Sequence, residues 1–286
     1  MISDYADRWG LITGASSGIG AEFARRLAGR GMHLVLSARR RERLESLAAE
    51  IHTAHGSRCE IIPADLAERD APRRLLEEIG RRGITLDVVV NNAGCGHRAE
   101  IAHTDLVRIM ELVQVNVAAL TEITYRVLPG MMERGQGAIV NVSSVGAFQP
   151  IAYLGAEAAS NAYVLHFSEA LWAEARERGV TVMALCPPIS LAGRDEQNDS
   201  AAAAAHAADE QSAQEIVRVA LKALERRRQY VITTWWNYLL AHLVRFANRR
   251  MVVRESMKYF RPPRTPPGEP PRSDPPPPPH RGDAEA

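Results

Sequence analysis

The sequence is poor in the residues that build metal centres, disulfide frameworks and membrane spans. Its 286 residues include three cysteines, Cys59, Cys95 and Cys186, odd in number and far apart. No histidine or cysteine pair has metal-ligand spacing, so no metal is expected. The thiols are expected to be reduced, as in a cytoplasmic protein. No run of about 18 apolar residues occurs, so no spanning helix is expected. The opening M-I-S-D-Y-A-D-R carries acids and no apolar centre, so no signal peptide is expected. A net charge of +1 supplies no bulk attraction for nucleic acid, and none is expected as a partner. Lysine is scarcest of all: Lys222 and Lys258 are the only two, and both stand late in the chain.

What is present is organised around residues 8–30. R-W-G-L-I-T, Arg8 to Thr13, reads as a short buried strand, and it runs into G-A-S-S-G-I-G, Gly14 to Gly20. Ala21, Ala24, Leu27 and Ala28 then recur at helical spacing until Gly31. A strand that turns on glycines into a helix aims free N–H groups and the positive end of the helix dipole at one point, which suits a pyrophosphate. The spacing Gly-x-x-x-Gly-x-Gly differs from Gly-x-Gly-x-x-Gly, and alone it is equally compatible with an ordinary glycine-rich turn.

The rest of the chain alternates. Apolar strand runs are expected at Met32–Ala38, Cys59–Leu66, Leu86–Val90, Ala138–Ser144, Val180–Cys186 and Tyr230–Thr233. Helices are expected after Arg39–Arg41, around Leu75–Ile79, over 104–128 with Asn116 inside, over 155–177 and over 214–226. This pattern predicts βαβ units, hence a parallel sheet with helices on both faces and a ligand beyond the carboxyl ends of the strands. Three segments follow: a domain over 1–234, a helical extension over 235–260 and a tail over 261–286. Eleven of the last 26 residues are proline, which predicts a solvated polyproline-like tail. The extension mixes Trp235, Trp236, Leu239, Leu240, Leu243 and Phe246 with Arg245, Arg249, Arg250, Arg254 and Lys258. Such a helix lies on an anionic membrane or packs on its own domain or a partner subunit, and packing is the reading favoured here.

Taken together, T-G-A-S-S-G-I-G at 13–20, Asp65, N-N-A-G at 91–94, Asn116, N-V-S-S at 141–144 and C-P at 186–187 resemble the short-chain dehydrogenase/reductases. The resemblance covers about residues 8–235. It implies a Rossmann-type doubly wound parallel sheet of about seven strands, oxidoreductase chemistry on a small carbonyl or alcohol compound, and a homo-oligomer. It further implies that Gly14, Ser16, Gly18, Ile19 and Gly20 cradle the cofactor pyrophosphate. Asp65 and Leu66 would meet its adenine; Asn91, Ala93, Gly94 and Pro187 would line it. Asn116 would hold a water in a proton relay, and Ser144 rather than Ser143 would bind the substrate oxygen. No acid ends the second strand, where a carboxylate would bind the ribose of NAD. Arg39 stands there with Arg40 beside it, and a guanidinium suits a 2′-phosphate, so NADP(H) is the expected cofactor. Arg40 and Arg41 also read as a solvated helix start.

One part of the pattern breaks. The resemblance implies Tyr-x-x-x-Lys on the helix after the serine strand, with the tyrosine 13 residues beyond the serine. Counting from Ser144 reaches Glu157, and four further on Asn161. F-S-E-A-L at 167–171 and C-P at 186–187 fix the register from the other side. Tyr153 lies four residues earlier, read as one helical turn, with Glu157 at its i+4 position; Tyr163 lies on another face. Pro188 stands where the family usually has glycine, and it removes an N–H. The expected protein therefore binds NADP(H) without its ordinary proton-transfer pair, unless Glu157 works with Ser144 and Asn116. Glu157 reads equally as a residue that caps or solvates the helix. His97 is a candidate contact at the substrate mouth, whereas His103 and His166 read as surface or packed residues. Residues 191–212 occupy the family's substrate-loop position and carry few bulky apolar groups.

Overall fold

The computed structural model describes residues 5–189 and 213–262. Seven parallel strands form one sheet in the order β3-β2-β1-β4-β5-β6-β7. They are β1 (Trp9–Thr13), β2 (His33–Ser37), β3 (Cys59–Ile61), β4 (Leu86–Asn91), β5 (Gly137–Val142), β6 (Val180–Cys186) and β7 (Tyr230–Ile232). The helices between them are α1 (Gly18–Ala28), α2 (Arg41–His55), α3 (Ala71–Arg81), α4 (Leu106–Val113), α5 (Leu120–Glu133), α6 (Gly155–Ala175) and α7 (213–225). Two more, α8 (Trp235–Leu243) and α9 (Arg249–Phe260), follow β7.

The strands read as unbroken apolar runs because both faces of the sheet are covered. Successive side chains point to opposite faces, so neighbours divide between two cores. Ile12, Val88, Val140 and Met183 pack with Phe23 and Leu27 of α1, Leu44 of α2 and Val217 of α7. Leu11, Val89, Ile139 and Val182 pack with Leu75 and Ile79 of α3 and Ile123 of α5. The strand order reverses between β1 and β4. That switch point leaves a crevice beyond their carboxyl ends, where such folds bind ligands.

Several boundaries differ from the sequence reading. β3 ends at Ile61, not near Asp65, because Pro63 has no N–H to donate; Ile62 N and Ala64 N still donate to Leu36 O and Ala38 O at 3.1 and 3.3 Å. The serine strand closes at Val142. The helix expected over 104–128 runs on to Glu133, and a π-helical segment, Gln114–Ala119, divides it. Tyr153 is not a helical turn before position 157: α6 begins at Gly155, and Tyr153 takes a left-handed φ of 65° in the preceding turn. Helices α8 and α9 pack on their own domain. Ala241 is buried with Ala147, Leu165, Ala184 and Ile232, and Ala152 N donates to Ser256 Oγ at 3.0 Å. The substrate-loop stretch 191–212 and nearly all of the proline-rich tail lie outside the described residues.

Candidate cofactor and substrate site

The glycine turn has the shape its residues dictate. Gly14 and Gly18 take φ of 64° and 54°, a region that side chains resist. A Cβ on Gly20 would run into the Gly14 carbonyl oxygen and the Asn92 amide, whereas one on Gly18 would meet nothing within 4 Å. The turn is thus tight against the fold at Gly14 and Gly20 and open at Gly18. Ser17, at the N-terminus of α1, is extended and makes no side-chain cap. The first N–H groups of α1, with Ile19 among its opening residues, therefore lack a side-chain acceptor, as an anion cradle requires.

The N-N-A-G segment braces that turn from beneath. Asn92 Nδ2 donates to Thr13 O and Gly14 O at 3.2 and 3.1 Å, and Thr13 Oγ1 accepts from Asn92 N and Ala93 N at 3.0 Å each. Asn91 does something else. Its side chain is buried, donating to Asn141 Oδ1 at 2.9 Å and Thr124 Oγ1 at 3.1 Å, while its own Oδ1 has no partner. The Asn91 side chain therefore does not line the crevice. Leu66 likewise buries its side chain in the second core, leaving its backbone for a ligand. Asp65 Oδ1 accepts from Ala67 N at 3.0 Å and shapes the turn after β3.

At the end of β2 the two arginines part company. Arg39 is exposed. Arg40 turns back over the glycine turn, and its Nη2 donates to Ser16 Oγ at 3.3 Å. A guanidinium beside the phosphate cradle is therefore Arg40 as much as Arg39.

Asn116 sits inside the π-helical segment, a local form that recurs at functional sites. Its Oδ1 accepts from Cys95 N at 2.9 Å, and its Nδ2 donates to Cys95 O at 2.8 Å and Ser160 Oγ at 3.2 Å. A Cβ on Gly94 would lie 3.4 Å from the same Oδ1. The side chain thus spends its hydrogen bonds on holding the N-N-A-G loop to α6.

Ser144 stands beyond the end of β5, and its Oγ accepts from Gly146 N at 3.1 Å. Pro187 O accepts from Val145 N at 2.9 Å, joining the C-P pair to the serine loop. Ser143 is buried and donates to Asn161 O at 2.9 Å, so it ties β5 to α6 rather than facing a ligand. Glu157 is half-buried in the first turn of α6, where a carboxylate complements the helix dipole. Ser160 Oγ donates to Glu157 O at 2.8 Å. Asn161 follows one turn on, also half-buried.

The two nearby tyrosines are engaged elsewhere. Tyr153 OH accepts from Arg261 Nε at 3.1 Å, and Tyr163 OH pairs with Thr121 Oγ1 on α5 at 2.9 Å. Tyr153, His97, Ile101, Leu112 and Ile151 line a mostly apolar cavity of about 420 Å³. His103 pairs with Glu100 at 3.1 Å on the surface, and His166 is exposed. Burial pushes the Cys186 thiol up to about 12 and that of Cys59 up to about 11, so neither is a nucleophile at neutral pH.

Sequence reasoning did not single out Thr13, Asn92 or Ser160, and it named Arg39 for the 2′-phosphate without foreseeing the contact of Arg40 with Ser16. Asn92 was within reach as the second residue of N-N-A-G; Ser160 carried no motif signal.

A parallel sheet reversing at β1/β4, a glycine turn braced by N-N-A-G, and a loop that Asn116 ties to Ser160 of α6 define a dinucleotide-binding fold of the oxidoreductase type. The chain belongs to the short chain dehydrogenase family, whose model matches residues 8–203. It is 35% identical over 184 residues to a very-long-chain 3-oxoacyl-CoA reductase of Anas platyrhynchos, covering 63% of this chain and 58% of that protein. It is 35% identical over 190 residues to the inactive hydroxysteroid dehydrogenase-like protein 1 of Homo sapiens, covering 65% and 57%. The match thus spans less than two thirds of these relatives' length. Among solved structures, a short-chain dehydrogenase from Sphingobium yanoikuyae in complex with NADPH superposes with a TM-score of 0.69 at 29% identity, covering 84% of this chain and 94% of that one. Among the described residues, no helix is long and apolar enough to cross a membrane.

Proposed function

We propose that this protein binds NADP(H) and is degenerate for ordinary hydride transfer between carbonyl compounds and alcohols. The observation that carries the reading is on α6. Glu157 and Asn161 stand where the family resemblance assigns tyrosine and lysine, in a chain with no lysine before residue 222. The cradle fits the dinucleotide: Gly14 and Gly20 close it, Gly18 opens it, and the α1 N-terminus is without a side-chain cap. Arg39 and Arg40 would hold the 2′-phosphate, and the NADPH complex of the Sphingobium relative supports that choice. When bound, the nicotinamide supplies hydride chemistry. The chain's own task is to hold a substrate oxygen at Ser144 and give it a proton. Asn161 is uncharged, and Glu157 is shorter than tyrosine. Losing a positioned general acid costs about 10²–10⁴ in rate. The relative described as inactive accords with this reading. The same proposal includes a small carbonyl or alcohol ligand, a cytoplasmic setting and a homo-oligomer, the last supported by exposed Leu106, Val107, Met110 and Tyr125.

Titrating the protein with NADPH and NADH by fluorescence tests the binding half. Tighter binding of NADPH is expected; equal affinities, or none for either, refute it. A second reading, an enzyme that uses Glu157 with Ser144 and Asn116, draws on the half-buried place of Glu157 in the first turn of α6. It requires wild-type turnover that Glu157→Gln abolishes.

A further inference from the structure

Charge is divided unevenly along the chain. Residues 226–262 hold nine of its 35 lysines and arginines and one of its 34 acids, Glu255. That segment is net +8 and the remainder net −7, so a near-neutral total conceals one cationic end.

The same segment turns apolar side chains outward. The inner edge of α8 is settled: Ala241 is buried, His242 Nε2 lies 3.2 Å from Tyr230 OH, and Phe148 packs on both rings. At 100° per residue, Trp236, Leu240 and Leu243 fall on the opposite side, while Trp235, in the first turn, falls on the flank nearer His242. Trp235 is 74% exposed, Trp236 57% and Leu243 52%; Phe246, in the turn that follows, is 89% exposed. Arg245, Arg249, Arg250 and Arg254 are exposed beside them and have no carboxylate partner among the described residues. The platform is fixed, because Ser256 of α9 is bonded to Ala152 and Phe260 packs on the cluster of Ile151, Leu154 and Ala158.

We propose that this face docks on the surface of an anionic lipid bilayer. The indoles, Leu243 and Phe246 enter the headgroup region, the arginines meet lipid phosphates, and no helix among the described residues crosses. Aromatic side chains favour that interface, and polybasic segments favour anionic leaflets. A second copy of the chain fits less well, because a two-fold contact would set Arg245, Arg249, Arg250 and Arg254 against their own images. A soluble polyanion would meet the arginines but leave Leu240 and Leu243 in water.

The test is co-sedimentation of the full chain with phosphatidylcholine vesicles, alone or with about 30% phosphatidylserine, at low and high salt. Binding is expected to the anionic vesicles only, to fall with salt, and to blue-shift tryptophan emission. One arginine near such a surface is worth about a fivefold change in affinity. Arg245→Gln/Arg249→Gln/Arg250→Gln should therefore lower binding by more than about tenfold. Trp235→Ser/Trp236→Ser/Phe246→Ser should lower it as well and remove the blue shift. These side chains are exposed, so both variants should melt as the wild type does; if the aromatic variant unfolds, the arginine variant carries the test. No vesicle binding, binding indifferent to phosphatidylserine, or an arginine variant that binds as the wild type does overturns the proposal.

Discussion

Asn116 Nδ2 donates to Ser160 Oγ at 3.2 Å, tying the π-helical segment between α4 and α5 to the opening turns of α6. Through Cys95 the same asparagine also holds the N-N-A-G loop, so one side chain fixes three elements around the crevice. Asn116→Ala leaves the Cys95 backbone groups and Ser160 Oγ short of partners. An unsatisfied buried polar group costs about 1–3 kcal/mol. Asn116→Ala should destabilise by about that much, and Ser160→Ala by about 1 kcal/mol, in urea unfolding. A double variant less destabilised than the sum would confirm that the two act as one network.

The arginines at the end of β2 give a second prediction. Arg40→Ala and Arg39→Ala should each weaken NADPH and leave NADH nearly unchanged, by the roughly 1.5–3 kcal/mol of a hydrogen bond to a charged group. Arg40 should show the larger effect, because its guanidinium already rests on Ser16. Isothermal titration with both dinucleotides measures it. Equal losses for both would place the arginines on a part that the two share.

Cys186 makes stability depend on pH at the alkaline end. Its thiol is pushed from an ordinary value of 9.0 up to about 12 by burial in β6. Between those values the unfolded chain has lost the proton and the folded chain keeps it. Stability is therefore complete below pH about 9 and falls as the pH rises toward 12. Urea midpoints at pH 7.5 and 10.5 should show this fall, and Cys186→Ala should show less of it. Rapid labelling of Cys186 in the native protein at neutral pH would contradict its burial.

The sheet was legible because its strands are short apolar runs that need no partner to be recognised. Val88, Val89 and Val90 read as buried whichever face each one takes. What the sequence did not show depends on choices between like residues. Asn91 and Asn92 are identical and adjacent, yet one bonds inside the core and the other braces Gly14. The alternating faces of a strand decide which does which, and that needs the register. Arg39 and Arg40 differ in the same way, settled by the backbone at the start of α2. The π-helical segment Q-V-N-V-A-A contains neither glycine nor proline, and its irregularity goes with the tertiary bonds of Asn116. The positive φ of Tyr153 had no glycine to announce it.

On the proposed function, the cofactor cradle is kept and the proton-transfer pair is lost at Glu157 and Asn161. Steady-state loss of NADPH absorbance over a panel of ketones and aldehydes, for wild type, Glu157→Tyr, Asn161→Lys and the double variant, tests it most directly. The wild type should be silent. Each single change should do little, since a tyrosine without a nearby cation keeps a pKa near 10. Glu157→Tyr with Asn161→Lys should restore turnover, with Pro188→Gly added if the nicotinamide end needs the missing N–H. Robust turnover by the wild type that survives Glu157→Gln would contradict the account.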